Sequence, residues 1–399
     1  MRILSRRGEK MPSSPIRRLV PFADEAVAKG KHVYYLNIGQ PDIKTPDTYM
    51  NPIKNMDMQV VAYGPSAGLT SCRKKMAEYY QRHGIDVDYS DLLVTTGGSE
   101  AIIFTLMAIM DPGDEIIIPE PFYTNYNGFA VEAGVKVVPI TSRIEDGFQL
   151  PPIASIAEKI SARTRAIMIC NPNNPTGYVY SADELEALRQ IAIEHDLFLL
   201  SDEVYREFIY DGTGHTSILS LEGLENQTIM LDSISKRYSA CGARIGMIVS
   251  RNKQVIEAAL KFGMARLCPP TIEQIGAEAA VDTPDDYFKE IISEYKARRD
   301  TMVEALQAMP GVVAPNPKGA FYLIVKLPVD DANSFAQWLL TDFDIDNETV
   351  MIAPADGFYS TNGLGTNEVR IAYVLNQDDI RKAMHILEEA LKVYPGKVG

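Results

Sequence analysis

The sequence predicts an α/β fold: a large domain whose mainly parallel, seven-stranded sheet lies between helices, joined to a smaller α+β domain. Three observations carry this reading. Short, continuous apolar runs recur between residues 91 and 250, as strands buried on both faces of a parallel sheet require. Helical stretches alternate with them, the order that strand–helix–strand crossovers produce. Beyond residue 300 the alternation gives way to three further strands and a closing helix. At 399 residues the chain is also too long for one small core.

The elements read in chain order. "DLLVTT" (91–96) is a short apolar strand, and "GGSEAIIFTLMAIM" is a buried helix stopped at Asp111-Pro112-Gly113. "EIIIP" (115–119) and "VKVVPI" (135–140) are strands on either side of a helix near 123–133. "RAIMICN" (165–171) is the fourth strand. The helix over 181–196 starts at Ser181 with Glu184 three residues later, the pattern of a capping box. "LFLLSDE" (197–203), "TIMLDSIS" (228–235) and "RIGMIVS" (244–250) complete the seven strands. A long helix near 286–308 precedes "AFYLIVKL" (320–327), "VMIAP" (350–354), "EVRIAYV" (368–374) and the closing helix 377–394. The large domain is expected over 50–300. Residues 1–49, as an N-terminal arm, and 301–399 form the smaller one.

Composition narrows the function. The chain carries 39 Lys and Arg against 53 Asp and Glu. That acidic balance argues against nucleic acid as a partner. The four cysteines, Cys72, Cys170, Cys241 and Cys268, are scattered and suggest neither a metal site nor a disulfide framework. No run of about 18 apolar residues is present to span a bilayer. The charged N-terminus lacks the apolar core of a signal peptide, so a cytoplasmic location is expected.

The informative residues fall at strand exits, where open parallel sheets bind ligands. Gly97-Gly98-Ser99 opens a helix and reads either as a plain turn or as a cradle for an anion at the helix N-terminus. "NPNNPTG" (171–177) fixes a loop with prolines and glycine while presenting the amides of Asn171, Asn173 and Asn174. Asp202, in "SDEVYREF", follows an apolar run. It is either a buried carboxylate in need of a partner or a helix cap, and Tyr205 lies three residues on. Lys236 follows "TIMLDSIS". A lone lysine is ordinarily a solvated cation. Beside Asp202 and Arg244 at a sheet end, it becomes an amine whose pKa can be lowered for Schiff-base chemistry.

Taken together, "NPNNPTG", "SDEVY" and "SISKRYSACGARIG" resemble the pyridoxal-phosphate (PLP) aminotransferases of class I and II, fold type I, in particular the aspartate aminotransferases. The likeness runs from "LNIGQPDIKTP" (36–46) through "YGPSAGLTSCR" (63–73) and "TTGGSEA" to "EVRIA" (368–372). The resemblance implies that Lys236 holds the cofactor as a Schiff base and shuttles the proton, in a ping-pong transfer from an amino acid to 2-oxoglutarate. It implies Asp202 as partner of the pyridine nitrogen, Asn174 and Tyr205 on the ring oxygen, and Tyr123 stacked on the ring where relatives often carry tryptophan. It places the phosphate on Gly98, Ser99, Ser233 and Arg244. Tyr63 is implied to reach the phosphate of a neighbouring subunit, and hence a homodimer. Arg370 and Gly39, with Asn174, are implied to hold the substrate α-carboxylate. No metal is implied.

The donor is open. Aspartate is the best match, with aromatic amino acids or alanine as alternatives, and a lyase or decarboxylase on the same scaffold as another. A cofactor-sensing module fused to a DNA-binding domain would need an additional domain and a basic surface. Arg237, Arg266 and Arg73 are candidates for a distal substrate carboxylate. Arg17 and Arg18, in a segment (11–19) expected to pack over the site as a mobile lid, read as solvated charges, with contact to an acidic substrate as the alternative. The loop "IAPADGFYSTNGLG" (352–365) is longer and differently spaced than in the family, which leaves side-chain specificity open.

Overall fold

A computed structural model describes residues 4–398. Its central sheet has seven strands: β2 (Leu92–Thr96), β3 (Glu115–Glu120), β4 (Lys136–Thr141), β5 (Thr164–Cys170), β6 (Phe198–Asp202), β7 (Thr228–Ser233) and β8 (Ile245–Val249). They lie in the order β2-β8-β7-β6-β5-β3-β4. Only β8 runs against the rest: it pairs antiparallel with both β2 and β7, while the other pairings are parallel. The consequence is local. β2, β5, β6 and β7 end at one edge of the sheet, and β8 begins there, so Thr96, Cys170, Asp202, Ser233 and Ile245 arrive together.

The apolar runs explain the sheet. Ile116, Ile117 and Ile118 on β3, Ile167, Met168 and Ile169 on β5, and Ile229, Met230 and Leu231 on β7 are all buried. Each strand feeds clusters on both faces, with Ile116 and Ile118 in one and Ile117 in the other. Burying each such side chain contributes about 1.5–3 kcal/mol, so no single strand face can be left wet. The expected capping box is present at Ala182–Glu194: the Ser181 hydroxyl accepts from the Glu184 amide, and Glu184 accepts from the Ser181 amide.

A second layer forms from the chain ends. β1 (His32–Tyr35) pairs parallel with β10 (Glu348–Met351). β11 (Ala353–Pro354), β12 (Glu368–Ala372) and β9 (Tyr322–Lys326) form an antiparallel three-stranded sheet. The helices Asp285–Ala308 and Gln377–Val393 pack together against them. One apolar cluster unites residues from both ends of the chain, including Leu19, Val33, Leu323, Val350, Ile371 and Leu387.

One detail differs from the sequence reading. The run 228–235 divides, because β7 stops at Ser233 and Ile234–Arg237 forms one helical turn. Lys236 therefore rides on a turn rather than on a strand. From Lys236 the chain returns to β8 through a turn at Cys241–Ala243, with Ser239 and Arg244 left-handed at φ 49° and 55°. Arginine is rarely held there without surrounding constraint.

Candidate active site

A cavity of about 460 Å³ opens at the edge where the strands end. It is walled by the β2–helix turn, the ends of β5, β6 and β7, and pieces of β9, β12 and the N-terminal arm. Lys236 Nζ projects into it and donates to the Gly39 carbonyl oxygen at 3.0 Å and to Cys241 Sγ at 3.5 Å. No carboxylate lies within ion-pair distance of this amine among the described residues.

Asp202 stands at the floor. Its Oδ2 accepts from the Tyr126 hydroxyl at 2.8 Å, and its Oδ1 accepts from the Val204 amide at 3.4 Å. The exposed part of the residue faces the cavity. Burial pushes its carboxyl up to about 6, against the pull of the two hydrogen bonds. A cation placed in the cavity beside it would reverse that cost. The cap alternative raised by the sequence is a minor part of its role, limited to the long Val204 contact.

Asn174 and Arg370 form the other wall. Asn174 Nδ2 donates to the Tyr205 hydroxyl at 3.3 Å, and Arg370 Nη1 donates to Asn174 Oδ1 at 3.2 Å. Arg370 Nη2 donates to the Asn37 carbonyl. The guanidinium lies between the rings of Tyr322 and Phe358, 4.6 and 4.9 Å from their centroids. Arg370 is buried, and among the described residues its Nε has no acceptor and no acid pairs with it. Burial accordingly lowers its pKa. A buried arginine without an anion is costly, which makes this a place for an external carboxylate.

Gly98, Ser99, Ser233 and Arg244 also line the cavity, with Gly98 close to Ser233 and Gly97 close to Arg244. Gly97 has φ +75°, and a Cβ on it would run into the Arg244 guanidinium. A Cβ on Gly246 would likewise collide with the Gly97 backbone. The close approach brings the N-terminus of helix Gly97–Ile109 and a cation to one point, the arrangement that holds a phosphate. Ser233 Oγ touches Ser235 Oγ at 2.8 Å and donates to the Ile245 carbonyl. Tyr123 lines the cavity as well. Burial pushes its hydroxyl up to about 12 despite nearby Arg370 and Arg17.

Of the residues singled out in the sequence, Gly39, Gly98, Ser99, Tyr123, Asn174, Asp202, Tyr205, Ser233, Lys236, Arg244 and Arg370 all line this cavity. Tyr63 does not; it is 83% exposed on the outside of the chain. The three arginines considered for a distal carboxylate are elsewhere, each already committed. Arg237 is buried with Asp232 and Glu207, at 2.6 Å from both. Arg266 pairs with Glu100, and Arg73 donates to the Tyr89 carbonyl. Arg17, read as a solvated charge, is exposed and also lines the cavity.

Sequence reasoning missed Tyr126, Tyr322 and Asn37. Tyr322 bonds the Tyr205 hydroxyl at 3.1 Å and donates to Gly39 O at 3.3 Å. Tyr126 and Tyr322 lie inside regular elements, where an aromatic residue reads as core. Only the coming together of distant elements gives their hydroxyls a job.

An anion cradle, an enclosed carboxylate, an unpaired lysine and a buried arginine lacking its anion define the site of a pyridoxal-phosphate enzyme on a fold type I scaffold. The family is set by comparison. Residues 31–387 match the family model for aminotransferase class I and II, and the chain belongs to that family. It is 32% identical to aromatic-amino-acid aminotransferase 2 of Thermococcus litoralis, over 98% of both chains. It is 31% identical to aspartate aminotransferase of Bacillus subtilis, over 98% of this chain and 97% of that one. Among solved structures, aspartate aminotransferase from Thermus thermophilus with maleate superposes with a TM-score of 0.88 at 30% identity, over 98% of this chain and all of that one. The protein is thus a PLP-dependent aminotransferase acting on an amino acid and a 2-oxo acid.

Proposed function

We propose that the protein transfers the amino group of L-aspartate to 2-oxoglutarate, giving oxaloacetate and glutamate. The observation that carries this is the cavity's charge: Arg17, Lys236, Arg244 and Arg370 face it against Asp202 alone. Such a site favours substrates that carry more than one negative charge. Several relatives named aspartate aminotransferase, and the Thermus structure named with maleate, a dicarboxylate, point the same way.

Each residue has a physical task. When bound, PLP supplies an aldehyde that condenses with an amine and a ring that takes up the electron pair released at the substrate α-carbon. Lys236 Nζ would carry the cofactor and, when not bonded to it, would accept and return the substrate α-proton. Asp202 would keep the ring nitrogen protonated by its charge. Asn174 and Tyr205 would hold the ring oxygen, and Tyr123 would cover the ring face. Gly98, Ser99, Ser233 and Arg244 would take the phosphate. Arg370, with Asn174 and the Gly39 backbone, grips the α-carboxylate through a planar fork suited to it.

The chain works as a homodimer in the cytoplasm, with a large domain over 50–300 and a smaller one built from 1–49 and 301–399. The dimer is supported by a stretch that is apolar yet exposed: Val60, Val61 and Tyr63 are 75%, 60% and 83% exposed. A surface of that kind marks an interface, and Tyr63 would then reach the partner's phosphate.

The test is to mix the cofactor-loaded protein with single amino acids and follow the near-visible band, then to identify products with aspartate and 2-oxoglutarate. Oxaloacetate and glutamate are expected. Alanine with carbon dioxide, or conversion of alanine and phenylalanine in preference to aspartate, would overturn the donor assignment.

A further inference from the structure

The cavity holds one cation too many for an amino acid with a neutral side chain. Within the reading above, Lys236 serves the cofactor, Arg244 its phosphate and Arg370 the α-carboxylate, while Asp202 answers the ring nitrogen. Arg17 alone has no assigned partner. It also has no carboxylate within ion-pair distance among the described residues, whereas its neighbour Arg18 is paired with Asp356 at 2.7 Å.

Arg17 is exposed at the cavity mouth, yet its backbone is tied down on both sides. The Asn37 side chain donates to the Ile16 carbonyl at 3.4 Å. Pro15 packs so tightly on Gly357 that a Cβ there would not fit. Arg18 closes the segment onto the same 356–358 turn. Between these anchors, Ser14, Ile16 and Arg17 line the cavity. The Tyr123 hydroxyl feels both guanidiniums, those of Arg370 and Arg17. The phenol thus lies within electrostatic reach of both cations.

We infer that Arg17 binds the side-chain carboxylate of the substrate and so sets the preference for dicarboxylic amino acids and 2-oxo acids. One end of the substrate is held by Arg370 from β12, and the other by an arginine from the N-terminal arm. The inference rests on the proposed dicarboxylate specificity and names the residue that creates it. The 356–358 turn contributes indirectly, by holding the arm through Arg18, so the unusual 352–365 loop influences specificity without touching the substrate.

The test compares kcat/KM for aspartate and alanine in the half-reaction, for the holoenzyme and for Arg17→Ala and Arg17→Lys, with the cofactor band as the check on folding. The pair differs only in the side-chain carboxylate. The ratio should fall roughly 10- to 100-fold in Arg17→Ala, the loss expected for one charge-assisted hydrogen-bonded contact, with the fall carried mainly by the aspartate value. Arg17→Lys should restore part of it. If the parent enzyme prefers aspartate and Arg17→Ala keeps that preference within twofold, Arg17 is not the reader and the donor assignment stands. If the parent shows no preference for aspartate over alanine, the donor assignment falls, and this inference with it.

Discussion

The Tyr126 hydroxyl donates to Asp202 Oδ2 at 2.8 Å, at the floor of a cavity where that carboxyl is pushed up to about 6 by burial. One hydrogen bond does not offset the loss of water around a carboxylate. The folded-state value lies above the ordinary Asp value of 3.8, so the folded chain binds the proton more tightly than the unfolded one. The cost of the charged form is absent below the ordinary value, grows as pH rises through about 6, and then levels off.

That sign gives a pH prediction. In cofactor-free protein, Asp202→Asn should be stabilising at pH 8 by up to about 3 kcal/mol, the linkage value of such a shift. Near pH 4 it should be neutral. Urea unfolding of both proteins at the two pH values measures it. In the loaded enzyme the same substitution should cut turnover by orders of magnitude, because the ring nitrogen loses its counter-charge. A benefit equal at both pH values would remove the buried charge as the cause.

Lys236→Ala should abolish the near-visible band of the bound cofactor and lower turnover by at least about 10³-fold, since it removes both the covalent link and the base. Absorbance after cofactor addition and a coupled assay check the two effects separately. Retention of the band would show that another amine holds the cofactor.

Arg370→Met should raise KM for every amino acid by roughly 10- to 100-fold, the scale of a lost charge-assisted hydrogen bond. Its effect should be the same for aspartate, alanine and phenylalanine, since all share the α-carboxylate. A loss confined to aspartate would place Arg370 at the side chain instead.

Arg237→Ala should destabilise the fold by about 3–5 kcal/mol, because it leaves Asp232 and Glu207 as uncompensated buried charges. The Tyr80 hydroxyl, at 2.7 Å from Asp232, is a poor substitute for a cation. Chemical denaturation reads the change. A shift in substrate preference at unchanged stability would restore Arg237 to the list of substrate contacts.

The proposed sharing of each site between two subunits can be tested by complementation. A hybrid dimer of one Lys236→Ala and one Tyr63→Ala subunit retains one site with both residues intact. Mixing the two weakened proteins should therefore recover up to about half of the activity per mixed dimer, as shared-site symmetry requires. No recovery on subunit exchange would remove Tyr63 from the partner's site.

Much of this was present in the sequence, because its signals are local. Apolar runs at strand length specify a sheet buried on both faces, and a polar residue directly after such a run must emerge at its edge. That is why Asp202 could be named from its position, whereas Asn174 was one of three loop amides and Ser233 was assigned only by the family resemblance. The capping box at Ser181 and Glu184 was legible for the same reason: its partners lie three residues apart. Tertiary structure decided what depends on distant segments meeting. Tyr126 and Tyr322 became site residues because a helix and a strand, far apart in sequence, bring their hydroxyls to Asp202 and Tyr205. Arg237 was withdrawn from the site because two buried carboxylates claim it. Arg17 entered the site because Asn37 and the 356–358 turn seat its arm there. A charged side chain takes its role from the charges it ends up beside, and for these arginines the nearest opposite charge, or the lack of one, is a property of the folded chain.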